Sequence, residues 1–158
     1  MSDRAGAAAD GIVFRRARRA DVPAIVALLA DDLLGARRET AGDDAAYLRA
    51  FEEIDADPRS ELMVADRDGE VVGTLQLTVT SSLSRRGTRR AQIEAVRVRS
   101  DMRGGGLGRR FVGWAIDRAR ARGCAMVQLT SDKRRVDAHR FYTSLGFEAT
   151  HEGMKLPL

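Results

Sequence analysis

The 158-residue sequence predicts a single α/β domain built on a mixed β-sheet. The main evidence is the order of its periodic segments: two amphipathic helices, a meander of three strands, and then helices alternating with strands. The length suits one hydrophobic core, and 44% hydrophobic with 32% charged residues is usual for a globular protein. We therefore expect one domain over residues 11–158, preceded by a disordered stretch, residues 1–10.

Turn and cap signals set the limits of the predicted elements. Asp21 is a suitable helix N-cap, Asp68-Gly69 is a hairpin turn, and Gly123 ends a helix. Between these signals, apolar residues recur with helical or strand periodicity. The predicted elements are strand 13–15, helix 21–35, helix 43–54, hairpin strands 61–66 and 70–80, strand 91–98, helix 107–122, strand 124–130, helix 135–145 and a final strand 147–156.

Composition and charge exclude several classes of protein. No apolar run is long enough to span a membrane, and residues 1–10 lack the apolar centre of a signal peptide. The single cysteine, Cys124, is either a small buried hydrophobic residue or a nucleophile, and it suits a reducing cytoplasm. The net charge is +4, but the densest basic cluster, residues 85–90, has no aromatic side chain for base stacking. We expect neither a membrane nor a nucleic-acid partner.

A glycine-rich loop, Arg103-Gly104-Gly105-Gly106-Leu107-Gly108, lies between a predicted strand and a strongly amphipathic helix. Glycines let consecutive amides approach an anion, and the following helix directs its unpaired N–H groups and positive dipole end to the same place. The loop therefore predicts a site for a phosphate-bearing ligand, with Arg103, Arg109 and Arg110 adding positive charge. Its spacing fits neither the dinucleotide-binding fingerprint nor the P-loop. The alternative is a loop that only gives the helix a flexible entry.

Three segments occur in the order found in one enzyme family. The loop resembles the Arg/Gln-x-x-Gly-x-Gly/Ala motif of the GNAT superfamily of N-acetyltransferases, with Arg103, Gly106 and Gly108 at its defining positions. Residues 91–98 resemble the strand before that motif, and residues 138–147 resemble the family's Ala-x-x-Phe-Tyr-x-x-x-Gly-Phe segment. The resemblance implies a mixed, mostly antiparallel central sheet flanked by helices. In that sheet the parallel strands on either side of the loop and its helix splay apart to form the cofactor cleft.

The same resemblance implies that the cosubstrate is acetyl-CoA, with its pyrophosphate on the loop. Backbone groups of the preceding strand would pair with the pantetheine arm, and the Val98 amide would polarise the acetyl carbonyl. Arg135 stands where the family often has an asparagine that bonds the pantetheine, and an arginine there can contact cofactor phosphate instead. The implied cofactor-binding residues are Val96, Arg97, Val98, Arg103, Gly104, Gly105, Gly106, Leu107, Gly108, Arg109 and Arg135.

Two residues are candidates for proton transfer. Strand alternation places Glu94 on the face of Val96 and Val98, where a carboxylate in apolar surroundings is suited to accept an ammonium proton, directly or through water. The alternative is a solvent-facing glutamate. Tyr142 matches the tyrosine that, by resemblance, faces the cofactor sulfur as general acid. The alternative is a core residue, because Tyr142 lies on an apolar stripe of its helix.

Other polar residues receive no catalytic role. His139 is expected at the surface, and His151 lies in the C-terminal segment where the family places acceptor-site residues. No set of His, Cys, Asp and Glu has metal-ligand spacing, so no metal is expected.

The predicted activity is an N-acetyltransferase in which a primary amine attacks the acetyl-CoA thioester directly; the alternative is a non-catalytic acyl-CoA-binding regulatory module. By resemblance, residues 31–39 and 81–90 shape the acceptor site, and small amines, amino acids, antibiotics and protein N-termini all stay open as acceptors. Asp31, Asp32, Glu52 and Glu53 either attract a cationic amine or are solvated surface charges. Such proteins are often dimers, and the sequence leaves a homodimer open.

Overall fold

The computed structural model describes residues 10–32, 34–39 and 44–158, so the predicted disordered stretch lies outside the described residues except for Asp10. One five-stranded sheet has the order β1-β2-β3-β4-β5, antiparallel from β1 to β4 and parallel between β4 and β5. The predicted α/β class and mixed sheet are confirmed. The strands are β1 (Ile12–Arg16), β2 (Ser60–Arg67), β3 (Glu70–Ser81), β4 (Arg89–Val98) and β5 (Met126–Leu129).

Helices cover both faces of this sheet. Within the described ranges, none of them is long and apolar enough to cross a membrane. They are α1 (Val22–Ala30), α2 (Asp44–Ala56), the single turn α3 (Ser84–Gly87), α4 (Leu107–Ala121) and α5 (Val136–Ser144), with short 3₁₀ turns at Arg19–Asp21, Gly35–Arg37 and Ser100–Met102.

The sheet separates two apolar clusters. On one side, α4 packs against β3 and β4, with Phe111, Leu75 and Ile93 fully buried. On the other side, α1 and α2 cover Val64 of β2 through side chains that include Phe51. Each buried side chain of this size contributes about 1.5–3 kcal/mol by leaving water. Because α4 is anchored along the sheet, the loop before it has a fixed position beside the end of β4.

Helix α1 ends at Ala30, earlier than the predicted limit at residue 35. Asp31 has a ψ of 42° and leaves the helical conformation. The chain then folds back at Gly35, whose amide donates to the Asp32 carboxylate. A Cβ at Gly35 would lie 1.9 Å from the carbonyl oxygen of Leu29. Gly35 was expected to end the helix, but its role is to let the following loop pack against the end of α1.

The predicted final strand, residues 147–156, is not formed, since these residues are in no strand or helix. Residues 148–158 are exposed throughout, including Met154 at 93%. A strand needs a partner for its backbone groups, and no strand in the described part of the chain pairs with the outer edge of β5. The segment follows α5 where a sixth strand was predicted, but it leaves the outer edge of β5 unpaired in the described sheet.

Strands β4 and β5 pair over only part of β4. Their parallel register stops at Ile93 opposite Leu129, whereas β4 continues to Val98 beside β3 alone. The edge of β4 that faces β5 is therefore open from Glu94 onward. This is the place where the sequence resemblance implied a cleft.

Candidate active site

A β-bulge at Ala95 determines which side chains of β4 share a face. Gln76 pairs with Glu94 and Thr74 pairs with Arg97, so one residue of β3 lies opposite two of β4. Ala95 has a φ of 52°, an uncommon value for a residue with a side chain. Because Thr74 and Gln76 are two residues apart on β3, they share a face, and their partners Glu94 and Arg97 share it too.

The predicted position of Glu94 on the face of Val96 and Val98 is therefore wrong. Val96 and Val98 pack with Ile93 against the apolar cluster under α4. Glu94 lies on the opposite face of β4 and is exposed. The bulge reverses the alternation on which the prediction depended.

The open edge of β4 presents backbone groups of two residues. The amide of Arg99 donates to β3 at 2.9 Å, so alternation directs the backbone of Arg97 toward β3 and the backbone groups of Val96 and Val98 toward the open edge. The Val96 carbonyl accepts a hydrogen bond from the Arg97 guanidinium at 2.9 Å, and the Val98 carbonyl accepts one from Arg103 at 3.1 Å. The amides of Val96 and Val98 face the cleft.

The glycine-rich loop has an open backbone. Gly104 and Gly106 have φ values of 81° and 83°, and a Cβ at either position would meet nothing within 4 Å. The backbone conformation, and not a lack of space, therefore requires glycine. In the described part of the chain, the amides of residues 104–109 donate to no acceptor. Since α4 begins at Leu107, its positive dipole end adds to these free amides.

The three arginines around this loop take different directions. Arg103 reaches back to the loop after α1, where it lies 3.4 Å from an Asp31 carboxylate oxygen. Arg109 donates to the Ser144 hydroxyl at the end of α5 at 2.7 Å. Arg110 is directed toward β1. Arg103 and Arg109 therefore stay beside the cleft, while Arg110 does not contribute there.

Tyr142 lies on α5 in a largely apolar setting. Its ring makes edge contacts with Phe141 and Phe147, at centroid distances of 5.1 and 5.8 Å. Burial raises the pKa of the Tyr142 hydroxyl, and the charges of Arg97 and Arg135 oppose that rise. The phenol is therefore protonated at neutral pH. The ring packs against the core, as the alternative interpretation predicted, and the hydroxyl lies near the charges of Arg97 and Arg135. The general-acid role stays a prediction.

Arg97 and Arg135 meet at one carboxylate. Arg135, just before α5, donates to Oδ2 of Asp32 at 2.7 Å, and Nε of Arg97 lies 3.5 Å from the same oxygen. This Nε is buried and has no hydrogen-bond partner among the described residues. Burial, together with the neighbouring charge of Arg135, lowers the pKa of Arg97.

A second carboxylate extends this group of charges. Asp132 binds Arg134 at 2.8 Å and lies 3.6 Å from Arg38. The hydrogen bonds from Arg134 hold the pKa of Asp132 well below its usual range. We call these side chains the arginine cluster: Arg38, Arg97, Arg134 and Arg135, with Asp32 and Asp132.

The remaining polar candidates are accounted for by local contacts. Asp31 and Asp32, considered above for binding a cationic amine, both lie against arginines. His139 is exposed, and its Nε2 lies 3.0 Å from the Asp132 carbonyl oxygen. Cys124 is half-buried against the core. Among the described residues, no group of His, Cys, Asp and Glu could hold a metal ion.

The sequence model of the acetyltransferase (GNAT) family matches residues 23–147, a range that includes β4, the glycine-rich loop and α5. The chain belongs to the GNAT acetyltransferase family. It is therefore an acyltransferase that uses acetyl-CoA. The free amides of the loop suit the pyrophosphate of this cosubstrate, and the open edge of β4 suits the amide groups of its pantetheine arm.

Three similar proteins illustrate the range within this GNAT family. An aminoalkylphosphonate N-acetyltransferase of Salmonella typhimurium is 30% identical over 138 residues, which are 87% of this chain and 86% of that protein. A glucosamine 6-phosphate N-acetyltransferase of Trypanosoma brucei brucei is 33% identical over 90 residues, 57% of this chain and 59% of that protein. The crystal structure of a transcriptional regulator from Bacillus halodurans C-125 has a TM-score of 0.90 at 48% identity, covering 93% of this chain and 99% of that one.

Sequence reasoning missed the arginine cluster of this GNAT site as a unit. Arg97 was considered only for its backbone, and Arg135 only as a replacement for an asparagine. The contact between Asp32 and Arg135 joins residues 103 positions apart, so no local pattern contains it. The one available signal was the acidic pair Asp31-Asp32 directly after an apolar helix in an arginine-rich chain.

Proposed function

We propose that this GNAT protein transfers the acetyl group of acetyl-CoA to the nitrogen of a small primary amine, by direct attack and without a covalent enzyme intermediate. The observation that carries the proposal is the open edge of β4 beside a loop whose amides have no acceptor in the described chain. The two curated relatives support it, since their names give aminoalkylphosphonate and glucosamine 6-phosphate as acceptors. Both are small primary amines.

For the cosubstrate, we assign the pyrophosphate to the amides of residues 104–108 with Arg103 and Arg109 beside them. The amides of Val96 and Val98 then bind the pantetheine arm and the acetyl carbonyl. Bound acetyl-CoA supplies a thioester carbonyl that a neutral amine can attack. An amide donor at that carbonyl stabilises the oxyanion that forms during attack.

We assign Glu94 as the general base on the acceptor side of the cleft. The bulge at Ala95 moves Glu94 away from the core face and onto the face of Arg97. An exposed carboxylate there can accept a proton from an incoming ammonium group, directly or through one water. The nitrogen then has a free electron pair for attack.

Tyr142 is the general acid in this proposal. When the carbon–sulfur bond breaks, the departing thiolate takes the phenolic proton of Tyr142. Its raised pKa keeps that proton in place at neutral pH until the thiolate forms. Glu94 takes one proton from the ammonium group before the attack, and Tyr142 supplies one proton to the thiolate. The nitrogen releases its second proton to the Tyr142 phenolate as the amide forms, which restores Tyr142, and Glu94 returns its proton to bulk water.

The proposal is tested by titrating the protein with acetyl-CoA in a calorimeter and then measuring thiol release with a series of amines. We expect binding of acetyl-CoA and release of CoA with at least one small amine. The variants Glu94→Gln and Tyr142→Phe should each lower kcat by about 10²- to 10⁴-fold while leaving acetyl-CoA affinity nearly unchanged.

The exposed Glu53 is a matched control for loss of a carboxylate, and Glu53→Gln should keep wild-type activity. Full activity of both the Glu94 and Tyr142 variants would contradict these roles. Failure of the wild type to bind acetyl-CoA would contradict the assignment of the glycine-rich loop.

A second candidate function is a non-catalytic acyl-CoA-binding regulatory module. One observation favours it, namely the likeness to the Bacillus halodurans structure described as a transcriptional regulator. The match covers 99% of that chain, so the regulator consists of the same fold without a further domain in the crystallised chain. Acetyl-CoA binding without thiol release from any amine would support this function and contradict the enzyme.

We also propose a homodimer in the cytoplasm, where reducing conditions suit the free Cys124. The C-terminal segment exposes alternate apolar residues, Met154, Leu156 and Leu158, and the outer edge of β5 is unpaired in the described sheet. Pairing of this segment with β5 of a second copy would cover both. Light scattering should give a dimer for the wild type and a monomer for the double variant M154E/L156E, and a monomeric wild type would contradict the proposal.

A further inference from the structure

We propose that Arg97 and Arg135 form an anion-binding subsite for the acceptor, so that the substrate is a small primary amine that also carries a phosphonate, phosphate or carboxylate group. This inference rests on the proposed N-acetyltransferase function and adds the chemical class of its acceptor. Four observations support it: charge, unused donors, position and separation from the cofactor loop.

The arginine cluster has an excess of positive charge. Four guanidinium groups, those of Arg38, Arg97, Arg134 and Arg135, share two carboxylates. Arg97 and Arg135 both pair with Asp32, through the same carboxylate oxygen, Oδ2. The Asp32 carboxylate therefore neutralises one of the two positive charges beside it. An anionic group bound between the two guanidinium groups would supply the missing charge.

Arg97 also has an unused hydrogen-bond donor. Its Nη1 donates to the Val96 carbonyl at 2.9 Å, but its buried Nε has no partner among the described residues. Leaving a buried charged donor unsatisfied is costly, and a ligand oxygen that accepts from it recovers that cost. Burial and the charge of Arg135 also lower the pKa of Arg97, although Asp32 opposes that shift.

The position of the two arginines suits an acceptor. Glu94 and Arg97 share one face of β4, and their partners on β3 are two residues apart, which is about 7 Å along a strand. Arg97 and Arg135 are also close enough to Tyr142 to affect its pKa. An amine held at Glu94 and an anionic group held at Arg97 therefore belong to the same small molecule, with few bonds between them.

The cofactor loop is a separate anion site. Its donors are the amides of residues 104–109 at the start of α4, and Arg103 and Arg109 lie beside it. Arg97 and Arg135 meet at Asp32 in the loop after α1, whereas Arg103 contacts the neighbouring Asp31. Among the described residues, neither Arg97 nor Arg135 makes a hydrogen bond or ion pair with residues 103–109. We therefore assign these two arginines to the acceptor, which replaces the expectation that Arg135 contacts the cofactor.

The test compares three amines of similar length: 2-aminoethylphosphonate, 3-aminopropanoate and uncharged-tail propylamine. Thiol release is measured with each amine varied at saturating acetyl-CoA, and then with acetyl-CoA varied at a fixed amine concentration. The proteins are the wild type, Arg97→Gln, Arg135→Gln and the control Arg120→Gln, whose exposed side chain pairs with Asp117 on α4. For the wild type we expect KM for at least one anionic amine to be roughly 10- to 100-fold below that for propylamine. Both cluster variants should remove this preference, with KM for acetyl-CoA unchanged, and the control should keep it.

Equal KM values for anionic and neutral amines in the wild type would overturn the inference and leave the N-acetyltransferase function intact. A rise in KM for acetyl-CoA in the cluster variants would also overturn it, because the arginines would then bind the cofactor. If no amine supports thiol release, the proposed function fails. Calorimetry with 2-aminoethylphosphonate and propylamine on the CoA-bound protein then decides the anion subsite, which is overturned if the two bind equally.

Discussion

Glu61 and Asp32 each bring one carboxylate together with two arginines, and the two groups differ in which hydrogen-bond donors stay unused. Glu61 on β2 binds Arg118 at 3.0 Å and Arg122 at 2.8 Å. Asp32 binds Arg135 at 2.7 Å and lies 3.5 Å from Arg97. Each group consists of one carboxylate and two guanidinium groups, but the first stabilises the fold while the second lies at the candidate active site.

The difference lies in burial and in hydrogen bonding. The Glu61 side chain is 4% exposed and the Asp32 side chain 25%. Around Glu61, Nε of Arg118 contacts both carboxylate oxygens, and Arg122 also donates to the Pro58 carbonyl at 2.9 Å. Around Asp32, by contrast, Nε of Arg97 lacks an acceptor in the described chain. A group of one carboxylate and two arginines is thus structural where residues of the chain accept all of the arginine hydrogen bonds. It is suited to binding a ligand where an arginine N–H has no acceptor in the described chain.

The largest effect on stability is expected from Glu61→Gln. The substitution leaves two arginines around a buried neutral amide. Removing one partner of a buried ion pair lowers the free energy of unfolding by about 3 kcal/mol when the remaining partners, here the arginines, keep some contact with water. Urea unfolding should show this loss, while Glu53→Gln on the exposed face of α2 should change the free energy of unfolding by less than about 0.5 kcal/mol. Similar midpoints for the two variants would mean that Glu61 is not a brace.

The opposite pattern is expected for Arg97→Gln. Its charge is disfavoured by burial and by Arg135, so the free energy of unfolding should change by less than about 1 kcal/mol. Acetyl transfer to an anionic amine should fall by roughly 10- to 100-fold. Unfolding and thiol release are measured on the same preparation, and a large loss of stability with unchanged kinetics would place Arg97 with the structural group.

A smaller effect of opposite sign is expected for Asp32→Asn. The substitution removes the carboxylate that competes with a ligand for Arg97 and Arg135, so the KM for an anionic amine should fall several-fold and that for propylamine should not change. Arg19→Gln, which removes an exposed arginine paired with Glu52, is a control that should leave both values unchanged. A higher KM for the anionic amine would show that Asp32 positions the arginines and does not compete for them.

The smallest effect is expected in acid. Burial raises the pKa of Asp32, but a hydrogen bond from the Gly35 amide and the charges of Arg135 and Arg97 outweigh it, so the pKa lies below its usual value. The ionised Asp32 therefore stabilises the folded state fully above the ordinary aspartate pKa of about 3.9. This stabilisation is lost as pH falls through the lower pKa that Asp32 has in the folded state. The difference in unfolding free energy between wild type and Asp32→Asn should thus shrink below about pH 4. A difference that grows in acid would contradict the assigned direction.

Local signals in the sequence predicted most of the fold. Asp68-Gly69 predicted the β2–β3 hairpin, and the structure confirms it, with the Gly69 amide bonded to Asp66 at 2.7 Å. The glycines before Leu107 predicted the loop and the start of α4, because only a positive φ at Gly104 and Gly106 gives that path. In each case the determining interaction lies within a few residues of the signal.

The parts that could not be predicted depend on distant residues or on an exception to a local rule. The arginine cluster forms only when the loop after α1 reaches the start of α5, as in the contact between Asp32 and Arg135. The bulge at Ala95 has no sequence signal, because alanine seldom takes a positive φ. The final strand was predicted from its position in the chain, but pairing with a free strand edge depends on contacts between distant residues. Residues 148–156 stay exposed, and the outer edge of β5 is unpaired in the described sheet.

The bulge at Ala95 also separates two kinds of recognition along one strand. Beyond it, Val96 and Val98 present peptide groups, which are the same for every amino acid and therefore tolerate substitution. Across it, Glu94 and Arg97 present side chains, which change with every substitution. Under the proposed function, acceptor preference can therefore be altered at these two positions while the peptide groups that we assign to acetyl-CoA stay the same. Deletion of one residue at the bulge would move the side chains of β4 beyond it to the opposite face of the sheet. It would therefore change both the peptide groups and the side chains that the strand presents.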